Sequence, residues 1–157
     1  MATNNANLCV SLLAIPDTFM SCLAGLFDTL SVSRDVANAH IPFDLEIVAS
    51  KAQLQIGRTR MPLNAHRTID GIEKTDIAII PASVMDGETW IPGRYPEEVR
   101  WLGSMHRRGA VICSACSGAL LLAETGLLDG KEATSHWTLE RLSEVISQRS
   151  CCNWNGS

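Results

Sequence analysis

The sequence predicts an α/β fold built on a mainly parallel sheet, and three observations predict it. Short apolar runs rich in Val, Ile and Leu ("LCVSLLAI", 8–15; "DIAIIPA", 76–82; "AVICSA", 110–115) read as strands buried on both faces. Helical stretches alternate with them, in the order strand, helix, strand, strand, helix, strand, helix. A chain of 157 residues, 46% of them hydrophobic, can bury the core of one domain without help from disulfides or metals.

Each element has its own signals. After the strand at 8–15, Pro16-Asp17-Thr18 opens a helix over about 19–37, with Asp17 or Thr18 as its cap. Gly25 inside that helix marks a close contact or weakens it. "FDLEIVAS" (43–50) alternates and reads as a second strand, and "AQLQIG" can pair beside it. Residues 57–70 read as a polar connection, with "RTID" (67–70) a short strand. The next strand, 76–82, stops at its proline, and the Gly- and Pro-rich segment 83–95 is a loop. "PEEVRWLGSMHRRG" is an amphipathic helix with Pro96 in its first turn, Arg107-Arg108 at its end and Gly109 as its stop. Strand 110–115 leads into the helix "SGALLLAETG", closed by Gly126. "EATSH" is a short extended piece, and "TLERLSEVISQ" a last helix capped by Thr138.

Composition excludes several functions. The net charge is −4. That speaks against this chain gripping nucleic acid by itself, because neutralising phosphates needs a basic face. No apolar run reaches about eighteen residues, the length that spans a bilayer. The N-terminus lacks the basic start of a secretory signal. The expected protein is soluble and cytoplasmic, with no membrane partner. The six cysteines then read as free thiols rather than a disulfide scaffold. Cys113 and Cys116 form a CxxC, but no second CxxC or histidine pair completes a zinc site, so no metal and no cofactor is expected. Cys113 is expected to point into the core from its strand.

The chemistry is expected where three strand ends meet. In open α/β sheets, ligands bind beyond the C-terminal ends of the strands. The segments after Ile15, after Ile80 and around Cys116 all lie at such ends. "Ser114-Ala115-Cys116-Ser117-Gly118" has the small residues that a tight nucleophile elbow needs, and a helix N-terminus follows it. Backbone N–H groups and dipole there favour a thiolate and can hold an oxyanion. The same residues also suit an inert packing turn around a buried cysteine, and spacing alone leaves both readings open.

The stretch "SACSGALLLAETGLLDGKEATSHW" resembles the ThiJ/PfpI superfamily of the class I glutamine amidotransferase-like fold. It is most similar to the branch that forms the N-terminal domain of AraC-type transcriptional regulators. The motifs are a C-[ST]-G elbow, "GLLDG" and an "AT-x-HW" strand end. The resemblance covers residues 8 to about 148. It implies a flavodoxin-like three-layer α/β/α sandwich, C-terminally truncated relative to the family. The domain would occupy 1–150, with an irregular tail at 151–157 and a DNA-binding helix-turn-helix domain absent from this chain. Cys116 takes the nucleophile position and His136 that of the nearby histidine. Cys22, Ala82, Ser83, Ser117 and Trp137 are the implied ligand-contacting residues.

Two departures bear on the chemistry. Relatives carry an acidic residue in a pattern like D-L-x-G-P. Here the segment is Cys22-Leu23-Ala24-Gly25-Leu26, and Asp17 and Asp28 do not match the acid position. Relatives also carry P-G-G after the third buried strand, where this chain has Pro81-Ala82-Ser83. The missing carboxylate weighs against catalysis. The resemblance therefore implies a ligand-sensing domain, or a fragment of one, that binds a small molecule at Cys116. It would work as a homodimer and reach DNA only through a further C-terminal domain. The alternative is a cysteine-dependent enzyme, such as an isonitrile hydratase or a glyoxalase- or deglycase-like hydrolase. The resemblance also places Cys22 near Cys116, close enough for a disulfide under oxidant, unless Cys22 is only a buried helix residue.

Overall fold

A computed structural model describes residues 7–36, 43–84, 90–133 and 153–154. Strand β1 (Leu8–Leu13) leads into helix α1 (Met20–Val36) and strand β2 (Phe43–Ala49). A hairpin follows, β3 (Gln53–Ile56) and β4 (Met61–Asn64), then the short β5 (Arg67–Thr68) and a 3₁₀ turn at Ile69–Gly71. Strand β6 (Ile77–Ile80), helix α2 (Pro96–Arg107), strand β7 (Val111–Ser114) and helix α3 (Gly118–Glu124) complete the alternation. Two short strands, β8 (Glu132–Ala133) and β9 (Asn153–Trp154), pair in parallel apart from the main sheet.

The main sheet has the order β5-β2-β1-β6-β7, and its neighbours are all parallel. The chain crosses from β1 to β2 through α1 and from β6 to β7 through α2, so its direction across the sheet reverses between β1 and β6. That pair is the topological switch point of a doubly wound sheet.

Side-chain alternation along the strands divides the core in two. Leu12, Ala14, Ile47 and Ala49 face α1 and meet Leu23 and Ile56. Leu13, Ile15, Val48, Ala78 and Ile80 face the other way, onto Trp101, Leu102 and Met105 of α2 and Leu120 to Ala123 of α3. Helices therefore cover both faces, the three-layer α/β/α sandwich expected from the sequence.

The structure corrects several local expectations. "AQLQIG" does not extend the main sheet. β3 pairs antiparallel with β4, from Gln53 opposite Asn64 to Ile56 opposite Met61. β4 lay hidden in the expected polar connection because "MPLN" is mostly exposed and holds a proline, which signals against a strand. Only Leu63, packed beside Leu54 on the α1-side core, anchors it. The strand expected over 67–70 ends at Thr68, and Ile69 begins the 3₁₀ turn. Neither expected cap serves α1. The Thr18 hydroxyl accepts from the Ile15 N–H at 2.9 Å, and the Asp17 carboxylate turns to Arg94 and Tyr95. Gly25 makes no close contact, since a Cβ there would meet nothing within 4 Å. Cys113 is half-buried, on the outermost strand among the described residues, rather than in the core. Helix α2 ends at Arg107 and Gly109 follows with φ +98, as its sequence signals. The helix expected over 138–148, with Thr138, lies outside the described residues.

Candidate functional site at the Cys116 elbow

The C-terminal ends of β1, β6 and β7 lie side by side, and the backbone ties them together. Beyond β7, the Ala115 N–H donates to the Ile80 carbonyl at 2.9 Å, so the ladder runs up to the residue before Cys116. Cys116 then takes φ +49, a left-handed conformation that costs an L-residue roughly 1–2 kcal/mol. The helix starts at once. The Ala119 N–H donates to the Cys116 carbonyl at 3.1 Å, and the Leu120 N–H to that of Ser117 at 3.1 Å. This is a strained strand–turn–helix elbow with an exposed thiol at its apex.

Gly118 shows why the residues around the thiol must be small. A Cβ on it would lie 2.5 Å from the Ile80 carbonyl oxygen and 2.7 Å from that of Pro81, and both are backbone atoms. The helix start is therefore pressed directly onto the end of β6. Ser117 locks the same contact from the side. Its hydroxyl donates to the Ser83 carbonyl at 2.8 Å and accepts from the Ser83 N–H at 2.8 Å. Ser117, Ala82 and Ser83 are all buried, with Ser83 only 1% exposed. The Ser83 hydroxyl has no partner among the described residues.

The turn after β1 joins from the other side of the switch point. Thr18 and Ser83 form an antiparallel bridge. The Phe19 N–H donates to the Ala82 carbonyl at 2.8 Å, and the Val84 N–H to that of Asp17 at 2.6 Å. Cys22, in the first turn of α1, is half-buried, and its sulfur accepts from the Ala82 N–H at 3.3 Å. Of the sequence-predicted site residues, Cys22, Ala82, Ser83, Ser117 and Cys116 are thus linked through one network. Cys22 and Cys116 are both free thiols. His136 and Trp137 lie outside the described residues.

A second layer of contacts escaped the sequence reading. The Tyr95 hydroxyl donates to the Asp17 carboxylate at 2.5 Å, and Arg94 pairs with the same oxygen at 2.7 Å. Arg94 also sits over the Tyr95 ring, 5.6 Å from its centroid. Burial, and then the Asp17 carboxylate, holds the Tyr95 phenol far above its ordinary range. Glu124, at the end of α3, accepts from the Trp90 indole at 2.6 Å and from the Gly93 N–H at 2.8 Å. The segment 90–95 is thereby fastened both to α3 and to the turn after β1. "WIPGRY" read as a plain loop. Its two aromatics and one arginine in six residues were the signal that it packs against something.

Comparison with known proteins agrees with this geometry. The DJ-1/PfpI family model matches residues 44–151. Over 77 residues, 49% of this chain, the sequence is 32% identical to the HTH-type transcriptional regulator CdhR of Pseudomonas aeruginosa, covering 22% of that protein. Over 137 residues, 87% of this chain, it is 27% identical to an isonitrile hydratase of Pseudomonas putida, covering 56% of that protein. The chain thus spans between about a fifth and just over half of these curated relatives.

Among solved structures, a transcriptional regulator from Vibrio parahaemolyticus superimposes with a TM-score of 0.78 at 20% identity, over 96% of this chain and 76% of that one. An AraC family transcriptional regulator from Pseudomonas putida gives 0.73 at 18%, over 94% and 76%. Drosophila melanogaster DJ-1beta gives 0.67 at 11%, over 97% and 75%. At these identities the structural likenesses speak to the fold, which they share with the sandwich described above. With the family model matching more than half of its length and the elbow formed at Cys116, the chain belongs to the DJ-1/PfpI family.

Proposed function

We propose that this chain is the ligand-sensing domain of an AraC-type transcriptional regulator and binds a small molecule at the Cys116 elbow. The observation that carries the proposal is what stands beside the elbow. By the resemblance, Cys22 takes the α1 position where relatives carry an acid, and its sulfur is engaged by the Ala82 N–H. The nearest carboxylate in sequence, Asp17, is held by Arg94 and Tyr95. The elbow geometry is kept while its acid–base partner is replaced, which suits binding better than turnover. The local likeness to the regulator CdhR supports the same reading.

On this proposal, residues 1–150 form the sensor and 151–157 a tail. The sensor pairs as a homodimer in the cytoplasm, and DNA is contacted by a helix-turn-helix domain outside this chain. His136 and Trp137 line the ligand site together with Cys22, Ala82, Ser83, Ser117 and Cys116. Sequencing the source DNA beyond codon 157 tests the division of labour. An in-frame helix-turn-helix region is the expected result, and a stop codon directly after Ser157 would remove the output domain from the account.

A second reading has its own support. The exposed, strained Cys116 and the likeness to an isonitrile hydratase suit a cysteine-dependent enzyme, with Cys116 as nucleophile and His136 assisting. Conversion of an alkyl isonitrile and water to the corresponding formamide, lost in Cys116→Ala, would establish it and overturn the sensor reading.

A further inference from the structure

The β3–β4 hairpin carries a feature that the elbow does not use. Residues 51–64 hold Lys51, Arg58 and Arg60 and not one carboxylate, in a chain whose net charge is −4. A groove of about 710 Å³ runs along this hairpin, within the size range of small-molecule sites. Its lining is chemically consistent. Lys51 and Arg60 supply the cations, Gln53, Gln55 and Asn64 supply carboxamides, and no acidic residue lines it.

The strand pairing places Gln53 opposite Asn64 and Gln55 opposite Pro62, so these side chains share one face of the hairpin. Leu54 and Leu63 point the other way, into the core, and hold that face steady. Lys51 stands at the base and Arg60 at the tip, separated by about 13 Å of strand. Arg60 is the second non-glycine residue with positive φ, +51, and its guanidinium donates to the Gln55 side chain at 3.4 Å. Pro16 also lines the groove, and its carbonyl accepts from the Gly57 N–H at 2.9 Å. The groove therefore abuts the turn that joins β1 to the elbow network.

We propose that this groove is a second ligand site, for a small phosphorylated polyol such as a sugar phosphate. A guanidinium offers a planar fork of donors that matches phosphate oxygens. Carboxamides both donate and accept, which is what a row of hydroxyl groups requires. The Pro62 ring gives the C–H face of a sugar something apolar to lie on. A duplex nucleic acid suits the groove less well, because the acidic remainder of the chain repels a polyanion.

Calorimetric titration of the whole chain with glucose 6-phosphate, and with glucose as the uncharged comparison, tests the proposal. The expected result is saturable binding of the phosphate ester, much weaker binding of glucose, and a loss of about ten-fold or more in both Lys51→Ala and Arg60→Gly. Arg60→Gly removes the cation and relieves the positive φ, so its melting temperature should hold or rise while binding falls. Cys116→Ser should bind glucose 6-phosphate like the parent chain. No binding, binding unchanged in the two hairpin variants, or binding lost only in Cys116→Ser would each overturn the groove site, the last by moving the ligand to the elbow. A DNA duplex that binds more tightly than glucose 6-phosphate, and is released by Arg60→Gly, would overturn the ligand class.

Discussion

Cys116 holds an uncommon backbone conformation at an exposed position, and strain of that kind persists only where the surroundings impose it. Cys116→Gly should therefore stabilise the fold by up to about 1 kcal/mol, even as it removes the thiol. Chemical denaturation checks the first effect and alkylation the second. Gly118→Ala should act in the opposite sense. Its Cβ would collide with two backbone carbonyls that cannot swing aside, and a loss of about 1–3 kcal/mol is expected in the same denaturation. The need for small residues at 114–118 was legible in the sequence. The positive φ of Cys116 itself was not, because a non-glycine residue gives no compositional hint of it. Nor was the task of Ser117 legible. The resemblance implied an elbow N–H from Ser117, and nothing in the sequence tied its hydroxyl to the backbone of Ser83.

Segment 90–95 is tied by polar contacts from two elements, and each tie has a measurable consequence. Glu124→Ala removes the acceptor of both the Trp90 indole and the Gly93 N–H, for an expected cost of about 1.5–3 kcal/mol. A red shift in tryptophan emission, as Trp90 gains solvent, would confirm the loosening. Tyr95 gives the segment a pH dependence with a definite sign. Its phenol ionises at about pH 10 in an unfolded chain and well above that in the fold. Its contribution is therefore present below pH 10 and is lost as pH rises above that value. Tyr95→Phe should flatten the alkaline limb of stability while lowering the plateau at neutral pH.

At the opposite end of β6, Asp76 behaves in the reverse way. The Cys9 N–H first, and Lys74 next, hold its carboxyl below the usual range. That contribution is present above about pH 4 and fades as pH falls further. Apart from Lys74 and Asp76, these ties were hard to foresee because they join residues 31 to 78 positions apart. Sequence patterns report neighbours along the chain, and such contacts appear only once the strands are ordered. The β3–β4 hairpin failed for a related reason, since a mostly exposed strand with an internal proline has almost no periodic signal.

For the molecule as a whole, the architecture was legible because it depends on a repeated pattern rather than on any one residue. Buried strands alternating with helices specify an α/β sheet, the resemblance implied its three-layer form, and the order β5-β2-β1-β6-β7 is seen only in the structure. Both faces of that sheet are covered. Leu23 on the α1 side and Leu102 on the α2 side are fully buried in separate clusters. Each truncation to alanine should cost about 2–5 kcal/mol, and the two losses should add, because the residues share no packing partner. A nearly neutral effect of either one, measured by denaturant unfolding, would mean that its face of the sheet is open to solvent.

The role proposed for the elbow is to bind a small molecule without converting it. The most direct measurement is thermal melting of the chain across a library of small polar metabolites and alkyl isonitriles, before and after alkylation of Cys116, with each mixture then assayed for product. A dose-dependent rise in Tm is expected for at least one compound. The rise should correspond to about 2.7 kcal/mol at a hundredfold excess over Kd, vanish on alkylation and leave the compound unchanged. Stabilisation that survives alkylation of Cys116, or an isonitrile converted to its formamide only while Cys116 is free, would contradict it.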